Sequence, residues 1–266
     1  MAELLPKGSI REKVRQIVQT GEDLEEVREL ATDPSFAAMD DLLKIHGIGP
    51  AKAKELVERD GVRSVADLIA RGAEIKLNNV QKTGLKYHND IVQRIPYAEM
   101  IRHERRLHEL IGPQCEFKVV GSYRRKAASS GDIDVLVTGP TNNLKAVVKR
   151  LMDSGYVVSD GVLASGVVKF MGICKLEAVH RRIDVLYTEP HEHPFAVLYF
   201  TGNDRFNVNM RAHVSARGMI LNEQGLFDRE RKARVDHVFR EERDIFDYLG
   251  FDYTEPEARN EHVVFD

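Results

Sequence analysis

Tryptophan is absent from this sequence of 266 residues, and cysteine occurs only at Cys115 and Cys174. Two cysteines so far apart, without a metal-type spacing, exclude a disulfide scaffold or a zinc ribbon and indicate a reducing compartment. The chain has no run of about 18 apolar residues, which excludes a transmembrane helix. Its first residues lack the apolar core of a secretory signal, so we expect an intracellular protein.

The sequence also lacks an excess of charge of one sign: Lys and Arg number 39, Asp and Glu 42, and the net charge is −3. A protein that binds nucleic acid is often basic overall, so any basic face here must be local. Basic residues cluster at 102–106, 124–126, 180–182 and 231–234. Taken alone, such a cluster is typical of a solvated surface.

The segment 42–54 predicts two helices joined by the turn Gly47-Ile48-Gly49, with Pro50 opening the second helix. The two glycines allow a tight turn and leave backbone N–H groups open at a helix N-terminus, which suits a phosphate. The alternative is a plain corner between helices, in which the glycines serve only the bend.

Pro96 marks a boundary, and strands begin to appear in the pattern after Ile111. Helical spacing extends from residue 76 to 94 and from Tyr97 to Ile111, whereas strands are predicted at 117–120, 133–137 and 182–187. One or two further strands are expected between 157 and 175. Helices are expected at 144–152, at 195–218 with a break at Thr201-Gly202, and at 244–249. This mixture predicts an α+β fold with a mixed sheet behind a helical N-terminal part.

Three carboxylates stand on or beside predicted strands. Asp132 and Asp134 are two residues apart, so they point to the same face of a strand, and Asp184 lies on a second strand of similar pattern. Carboxylates that converge repel one another unless a cation is present. Oxygen ligands without Cys or His favour Mg²⁺ or Mn²⁺, and two such ions suit a displacement at phosphorus. Exposed strand ends are the alternative, although Asp is unfavourable within such apolar runs.

A second group of residues surrounds these carboxylates in sequence. A Gly121-Ser122 turn frees backbone N–H groups and a hydroxyl, and Arg125 offers a bidentate fork to a phosphate. Ser130 and Gly131 add a hydroxyl and a close backbone approach. Together they predict a triphosphate cradle beside a metal site.

The ordered strings GSYRRKAASSGDIDVLVT (121–138) and HRRIDVLY (180–187) resemble the nucleotidyltransferase superfamily, and in particular family X of the DNA polymerases, of the beta type. LYFTGNDRFNVNMRAH (198–213) is similar to that family's nucleotide-contacting region. HGIGPAKA (46–53) and GLKYHNDIVQRIP (84–96) resemble its helix-hairpin-helix subdomain and the segment that follows.

The resemblance implies a role for individual residues. Asp132, Asp134 and Asp184 would be catalytic and bind two Mg²⁺ ions, with Mn²⁺ as the alternative. Arg182 and Arg211 would contact DNA, as would Gly47 and Gly49 of the hairpin. The residues implied to bind the incoming nucleotide are Arg94, Ser122, Arg125, Ser130, Gly131, Tyr199, Phe200, Gly202, Asp204 and Asn207.

The resemblance also implies two backbone features. The carbonyl groups of Leu43, Ile45 and Ile48 would hold Na⁺ or K⁺ at the hairpin, and the Gly202–Asn203 peptide would be cis. One departure affects the template side, because Val208 replaces a lysine that stacks on the templating base.

The implied organisation is a reduced remnant of a lyase domain (1–38), a helix-hairpin-helix DNA-binding subdomain (39–96), a catalytic palm (97–190) and a C-terminal nucleotide-selection subdomain (191–266). Lys13 would align with the lyase nucleophile of the family, but one solvated charge on an amphipathic helix is the favoured interpretation.

The function that the resemblance implies is DNA-directed DNA polymerisation from a primer 3′-OH in short gaps, as in base-excision or gap-filling repair. Partners would be gapped or primer-template DNA and deoxynucleoside triphosphates, without a membrane, and the protein would be a monomer in the nucleus, with a mitochondrion or a virus left open. A non-catalytic DNA-end binding module and an RNA-end nucleotidyltransferase remain the alternatives.

Overall fold

The structure, a computed structural model, describes residues 33–112, 115–260 and 262–265. Backbone contacts divide the chain into two compact units, Met1–Leu85 and Lys86–Asp266. Lys13 and most of the predicted segment 1–38 lie outside the described residues, so their assignment stays a prediction. The segment 86–96, which we predicted to end the DNA-binding subdomain, is grouped with the second unit.

The first unit is helical. It contains α1 (Pro34–Leu43), α2 (Pro50–Glu58), α3 (Val65–Ala70) and α4 (Asn79–Lys86). Asp33 caps α1 by accepting the N–H of Ser35 at 2.8 Å, and Ser64 caps α3 by accepting the N–H of Asp67 at 3.1 Å. Apolar residues at helical spacing, among them fully buried Leu42, Leu56 and Leu68, form the core of this unit.

Two glycines of this unit are required for steric or conformational reasons, and a third is not. Gly47 has a φ of +88°, which side chains rarely adopt, and a Cβ at Gly84 would lie 2.0 Å from the carbonyl oxygen of His46. Gly49, in contrast, is extended at φ −95°, and a Cβ there would meet open space. The turn therefore needs Gly47, while Gly49 leaves the N-terminus of α2 uncovered.

The second unit contains a mixed five-stranded sheet, whose strands in spatial order are β2 (Glu116–Val119), β4 (Ile133–Thr138), β7 (His180–Thr188), β6 (Lys169–Lys175) and β5 (Val157–Ser165). The β4 and β7 strands are parallel, and the other pairs are antiparallel. The elements in chain order are α5 (His88–Ile91), β1 (Ile95–Pro96), α6 (Tyr97–Ile111), β2 (Glu116–Val119), α7 (Gly121–Arg124), β3 (Ser129–Ser130), β4 (Ile133–Thr138), α8 (Leu144–Asp153), β5 (Val157–Ser165), β6 (Lys169–Lys175) and β7 (His180–Thr188).

Most of these elements follow the predicted pattern. The helix predicted over 76–94 is an exception, since it is interrupted at Tyr87 and ends at Ile91. The central strands β4 and β7 are buried along both faces, which explains their nearly continuous apolar runs. Helix α6 buries Met100, Leu107 and Ile111 against the core of this sheet.

The C-terminal part of the second unit has its own core around Phe195, Phe206 and Phe246. It contains α9 (His193–Thr201), α10 (Asp204–Ala216), β8 (Met219–Asn222), β9 (Gly225–Asp228), β10 (Ala233–Arg234), α11 (Glu242–Leu249) and a 3₁₀ turn at Pro256–Ala258. The small sheet of order β10-β9-β8 was not predicted from the sequence. In the described ranges, no helix has the length and apolarity that a membrane crossing requires.

Candidate active site

Two of the predicted carboxylates stand side by side. Asp134 of β4 and Asp184 of β7 are register partners on neighbouring parallel strands, and Asp184 is only 7% exposed. Burial, and then the charge of Asp184, raise the pKa of Asp134 to about 6. The Oδ1 atom of Asp184 is buried and has no hydrogen-bond partner. This edge of the sheet therefore carries negative charge that is only partly compensated.

Two basic side chains reach this carboxylate edge. Lys169 Nζ lies 3.7 Å from Asp184 Oδ2, and Arg182 Nε lies 3.7 Å from Asp184 Oδ1. Arg182 also forms a close ion pair with Asp132, which directly precedes β4. The third predicted carboxylate is thus turned to a guanidinium, and within the described ranges no three His, Cys, Asp or Glu residues are gathered as a metal site.

The Gly-Ser turn lies directly against this edge. Gly121 has a φ of +64°, and a Cβ there would lie 2.3 Å from Asp134 Oδ2, so both the conformation and the space require glycine. Ser122 donates its hydroxyl to Ser130 Oγ at 3.0 Å. Ser130 is 1% exposed, so it supports the turn from behind and does not line the open cleft.

A cleft of about 570 Å³ opens beside the turn and the carboxylates. Most of the predicted nucleotide contacts line it. Its lining residues are Arg94, Gly121, Ser122, Arg125, Gly131, Asp132, Asp134, Tyr199, Phe200, Gly202, Asn203, Asp204, Asn207, Val208 and Arg211. Residues from four distant stretches of the chain thus converge on one cavity.

Two arginines that line the cleft are held by hydrogen bonds to different segments of the chain. Arg94 donates from Nε to Ser129 Oγ at 3.1 Å and from Nη2 to the Ser129 carbonyl at 2.5 Å. Arg125 donates to the carbonyl of Thr201, and burial lowers the pKa of its guanidinium. Guanidinium groups suit phosphate oxygens because their N–H groups form a fixed fork.

The break between α9 and α10 also lines the cleft. The Gly202–Asn203 peptide is cis, which confirms the expectation from the sequence. Asn203 caps α10 by accepting the N–H of Phe206 at 2.9 Å, and Asn207 Nδ2 donates to the Tyr199 carbonyl at 2.8 Å. These contacts fix a polar amide and an aromatic ring at the same side of the cleft.

Comparison with known proteins places the chain among the DNA polymerases. Family models for the DNA polymerase beta palm and thumb match residues 94–190 and 196–260, and a model for the fingers domain of DNA polymerase lambda matches residues 40–92. Polymerase beta of Leishmania infantum in a ternary P/T complex is 32% identical with a TM-score of 0.77, covering 86% of this chain and 100% of that chain. The chain belongs to family X of the DNA polymerases.

Two further comparisons agree. The Leishmania infantum polymerase beta in a ternary gap complex is 30% identical with a TM-score of 0.78, covering 93% of this chain and 96% of that chain. DNA polymerase lambda of Arabidopsis thaliana is 31% identical over 95% of this chain. The chain spans about half the length of the curated relatives it matches, 46% to 55%.

Family X polymerases are metal-dependent in general, and the carboxylate edge suits a cation. Asp134 and Asp184 present hard oxygen donors, one of them buried and unpartnered. A divalent ion would offset the burial and the repulsion from Asp184 that together raise the pKa of Asp134. The donor set of this family X chain therefore fits Mg²⁺ or Mn²⁺.

Three lining residues were not predicted as contacts. Gly121 was recognised only as part of the turn, Asn203 only as part of the expected cis peptide, and Val208 only as a departure from the family pattern. Asp204, Val208 and Arg211 are spaced by four and three residues on α10, so helical periodicity is the signal that would have placed Val208 in the cleft. Its side chain is 69% exposed, as befits a surface that meets a ligand.

The other predicted contacts lie in the helical first unit. The Ile45 carbonyl accepts the N–H of Ile48 at 3.0 Å, and the Gly47 carbonyl accepts from Gln81 Nε2 at 3.2 Å. Leu43, Ile45 and Ile48 thus lie at the end of α1 and in the turn that follows. Their binding of a monovalent cation stays a prediction.

Proposed function

We propose that this chain is a DNA-directed DNA polymerase that adds deoxynucleotides to a primer 3′-OH in short gaps of DNA. One observation carries the proposal: Asp134, which pairs with Asp184 on the neighbouring strand, lines the same cleft as Arg94 and Arg125. Such an arrangement offers carboxylates for cations beside guanidinium groups for a triphosphate. Positioning and electrostatics supply most of the rate in reactions of this class.

The number, identity and ligands of the metal ions are also part of the proposal. Two Mg²⁺ ions, with Mn²⁺ as the alternative, would be held by Asp132, Asp134 and Asp184 and would supply positive charge at the attacked phosphate. Asp132 reaches such an ion only if it leaves Arg182, its partner in the structure. The Oδ1 atom of Asp184 is buried without a hydrogen-bond partner, so it has acceptor capacity left for an ion.

The protein groups around the nucleotide have separate tasks. Arg94, Ser122, Arg125 and Gly131, which line the cleft, would bind the triphosphate. A second group of lining residues would receive the sugar and base: Tyr199, Phe200, Gly202, Asp204 and Asn207. Arg211 stands 5.8 Å from the ring centre of Tyr199 and would contact the template strand.

The basic clusters contribute less to DNA binding than their number suggests. Arg181 is buried in an ion pair with Glu99, and the partly buried Arg124 is paired with Glu242, so both guanidinium groups are already engaged within the protein. DNA would instead be held by the helical hairpin around Gly47 and Gly49, by Arg211, and by Arg182 once it leaves Asp132.

The test is extension of a primer across a one-nucleotide gap with a 5′-phosphate, using all four deoxynucleotides and Mg²⁺. The Asp184→Ala protein is run beside the wild type, and a filter-binding measurement with the same DNA checks both. Templated addition by the wild type, lost in the variant with DNA binding retained, is the expected result. DNA binding without addition would instead indicate a DNA-end binding module. A parallel assay with RNA ends and ribonucleotides tests the other alternative, since addition there would indicate an RNA-end nucleotidyltransferase.

The remaining properties are part of the same proposal. We propose a monomer that works in repair of DNA inside the cell, in the nucleus, with Na⁺ or K⁺ at the hairpin. Lyase activity through Lys13 is not included, because a lysine needs a desolvated or cationic pocket to act as a nucleophile.

A further inference from the structure

Arg181 is a buried arginine that no step of the proposed reaction uses. It lies on β7 next to Arg182 and is only 5% exposed. Its Nε and Nη2 atoms donate to the two oxygens of Glu99, on α6, at 2.7 and 2.9 Å. Such a bidentate pair fixes both position and orientation of the two side chains.

The third donor of Arg181 leads toward the cleft. Its Nη1 atom donates to the Gln93 carbonyl at 3.1 Å, and that carbonyl belongs to the peptide that enters Arg94. The next residue, Ile95, pairs with Ser130 in the β1–β3 ladder. The backbone that carries Arg94 is therefore held on one side by Arg181 and on the other by Ser130.

Glu99 is fixed in turn by the core behind it. His103, fully buried one turn later on α6, has Nε2 at 3.5 Å from Glu99 Oε1. The other ring nitrogen of His103 shares a hydrogen bond of 2.8 Å with the hydroxyl of Tyr156. The hydrogen bonds from Arg181 hold the pKa of Glu99 below its usual range, so the carboxylate stays charged.

We propose that Glu99, acting through Arg181 and the Gln93 carbonyl, is a positioning residue that places the Arg94 guanidinium for the nucleotide's triphosphate. The inference rests on the proposed function. A merely structural role would affect the whole fold. The proposed role instead requires that Glu99 acts on nucleotide binding through one side chain, that of Arg94.

The experiment measures equilibrium binding of a deoxynucleoside triphosphate to the full chain on gapped DNA whose primer ends in a dideoxynucleotide, so that no chemistry follows. We expect Glu99→Gln to weaken binding about 3- to 10-fold, as coupled residues in one network do. Glu177→Gln is the matched control, since Glu177 forms an exposed ion pair with Arg102, which lies on α6 like Glu99. It should leave binding unchanged.

A double-mutant cycle separates positioning from general weakening. In an Arg94→Gln background, Glu99→Gln should add less than about a twofold further loss, because the side chain it positions is gone. Full additivity in that background would overturn the inference, and so would wild-type affinity in the Glu99→Gln protein.

The cycle is repeated with Arg181→Lys, which keeps the charge but cannot serve Glu99 and the Gln93 carbonyl together. If Glu99→Gln unfolds, as urea unfolding would show, the Arg181→Lys cycle decides by the same criterion. Failure of the wild-type protein to bind any triphosphate on this DNA would overturn the proposed function instead, so the two failures are distinguishable.

Discussion

The carboxylate edge at the cleft and the buried carboxylate of Glu242 differ in how their charge is compensated. Glu242 accepts hydrogen bonds from Arg259 at 2.6 Å, from Arg124 at 2.8 Å and from the Tyr253 hydroxyl at 3.0 Å. Asp184 has cations at 3.7 Å only, and one of its oxygens has no partner. One site is saturated with donors, and the other is not.

The two sites accordingly have opposite pKa shifts. Burial alone would raise the pKa of Glu242, but the hydrogen bonds from Arg259 and Arg124 hold it below the usual range. At the cleft, burial and the neighbouring charge raise the pKa of Asp134 to about 6. The Glu242 site thus stabilises the C-terminal fold. The carboxylates at the cleft instead keep negative charge that is only partly compensated and that a cation can neutralise.

Removing the carboxylate of Asp184 should have the largest effect on function. We expect Asp184→Asn to lower the single-turnover rate of gap filling at least about 1000-fold, about 4 kcal/mol of barrier, because a ligand for the cations is lost. Glu189→Gln, an exposed carboxylate just past the same strand, is the control. A rate within tenfold of wild type would show that the edge is not the reacting site.

Breaking the saturated site should have the largest effect on stability. Glu242→Gln should lower the free energy of unfolding by about 3 kcal/mol, because Arg259, whose side chain is 0% exposed, loses its charged partner. Urea unfolding measures this, with Glu255→Gln as an exposed control. Equal stability of the Glu242→Gln variant and the wild-type protein would contradict the contrast drawn between the sites.

Removing one charge from the cleft should act in the opposite direction. Asp134→Asn should raise the free energy of unfolding in EDTA at pH 7.5 by about 1–2 kcal/mol, since the cost of burying this charge and its repulsion with Asp184 both disappear. Activity should be lost in the same protein. Asp153→Asn, an exposed carboxylate on α8, serves as the control.

The pH dependence of this gain has a definite sign. The folded-state pKa of Asp134, about 6, lies above the reference value of 3.8, so protonation stabilises the folded state below pH 3.8 and this contribution is lost as pH rises through 6. The advantage of Asp134→Asn should therefore shrink between pH 7.5 and pH 4.5. A gain that grows on acidification would refute the assignment.

Loss of the nearby lysine should have the smallest effect. Lys169→Gln should lower the free energy of unfolding by less than about 1 kcal/mol, because this side chain is 46% exposed and its ion pair with Asp184 is long. Lys175→Gln, at the other end of β6, is the control. A loss as large as that of Glu242→Gln would mean that Lys169 is a main support of the edge.

Local structure was largely readable from the sequence. The apolar runs around Asp134 and Asp184 predicted β4 and β7, and the Gly202 break correctly separated α9 from α10. The strands β8 to β10 were missed because two to four residues are too few for an alternating pattern. Their turn signal was present, since Asn222 accepts the N–H groups of Gln224 and Gly225.

The sequence by itself determined the chemistry of the site: which carboxylates, glycines and arginines occur, in which order, and on which kind of element. Tertiary structure alone decided that Asp134 lies beside Asp184, that Asp132 turns to Arg182, and that Arg124 and Arg181 are engaged in ion pairs. The physical reason is separation along the chain: Glu99 and Glu242 lie 82 and 118 residues from these arginines. Periodicity records only near neighbours, whereas pairing of buried charges depends on how strands and helices pack.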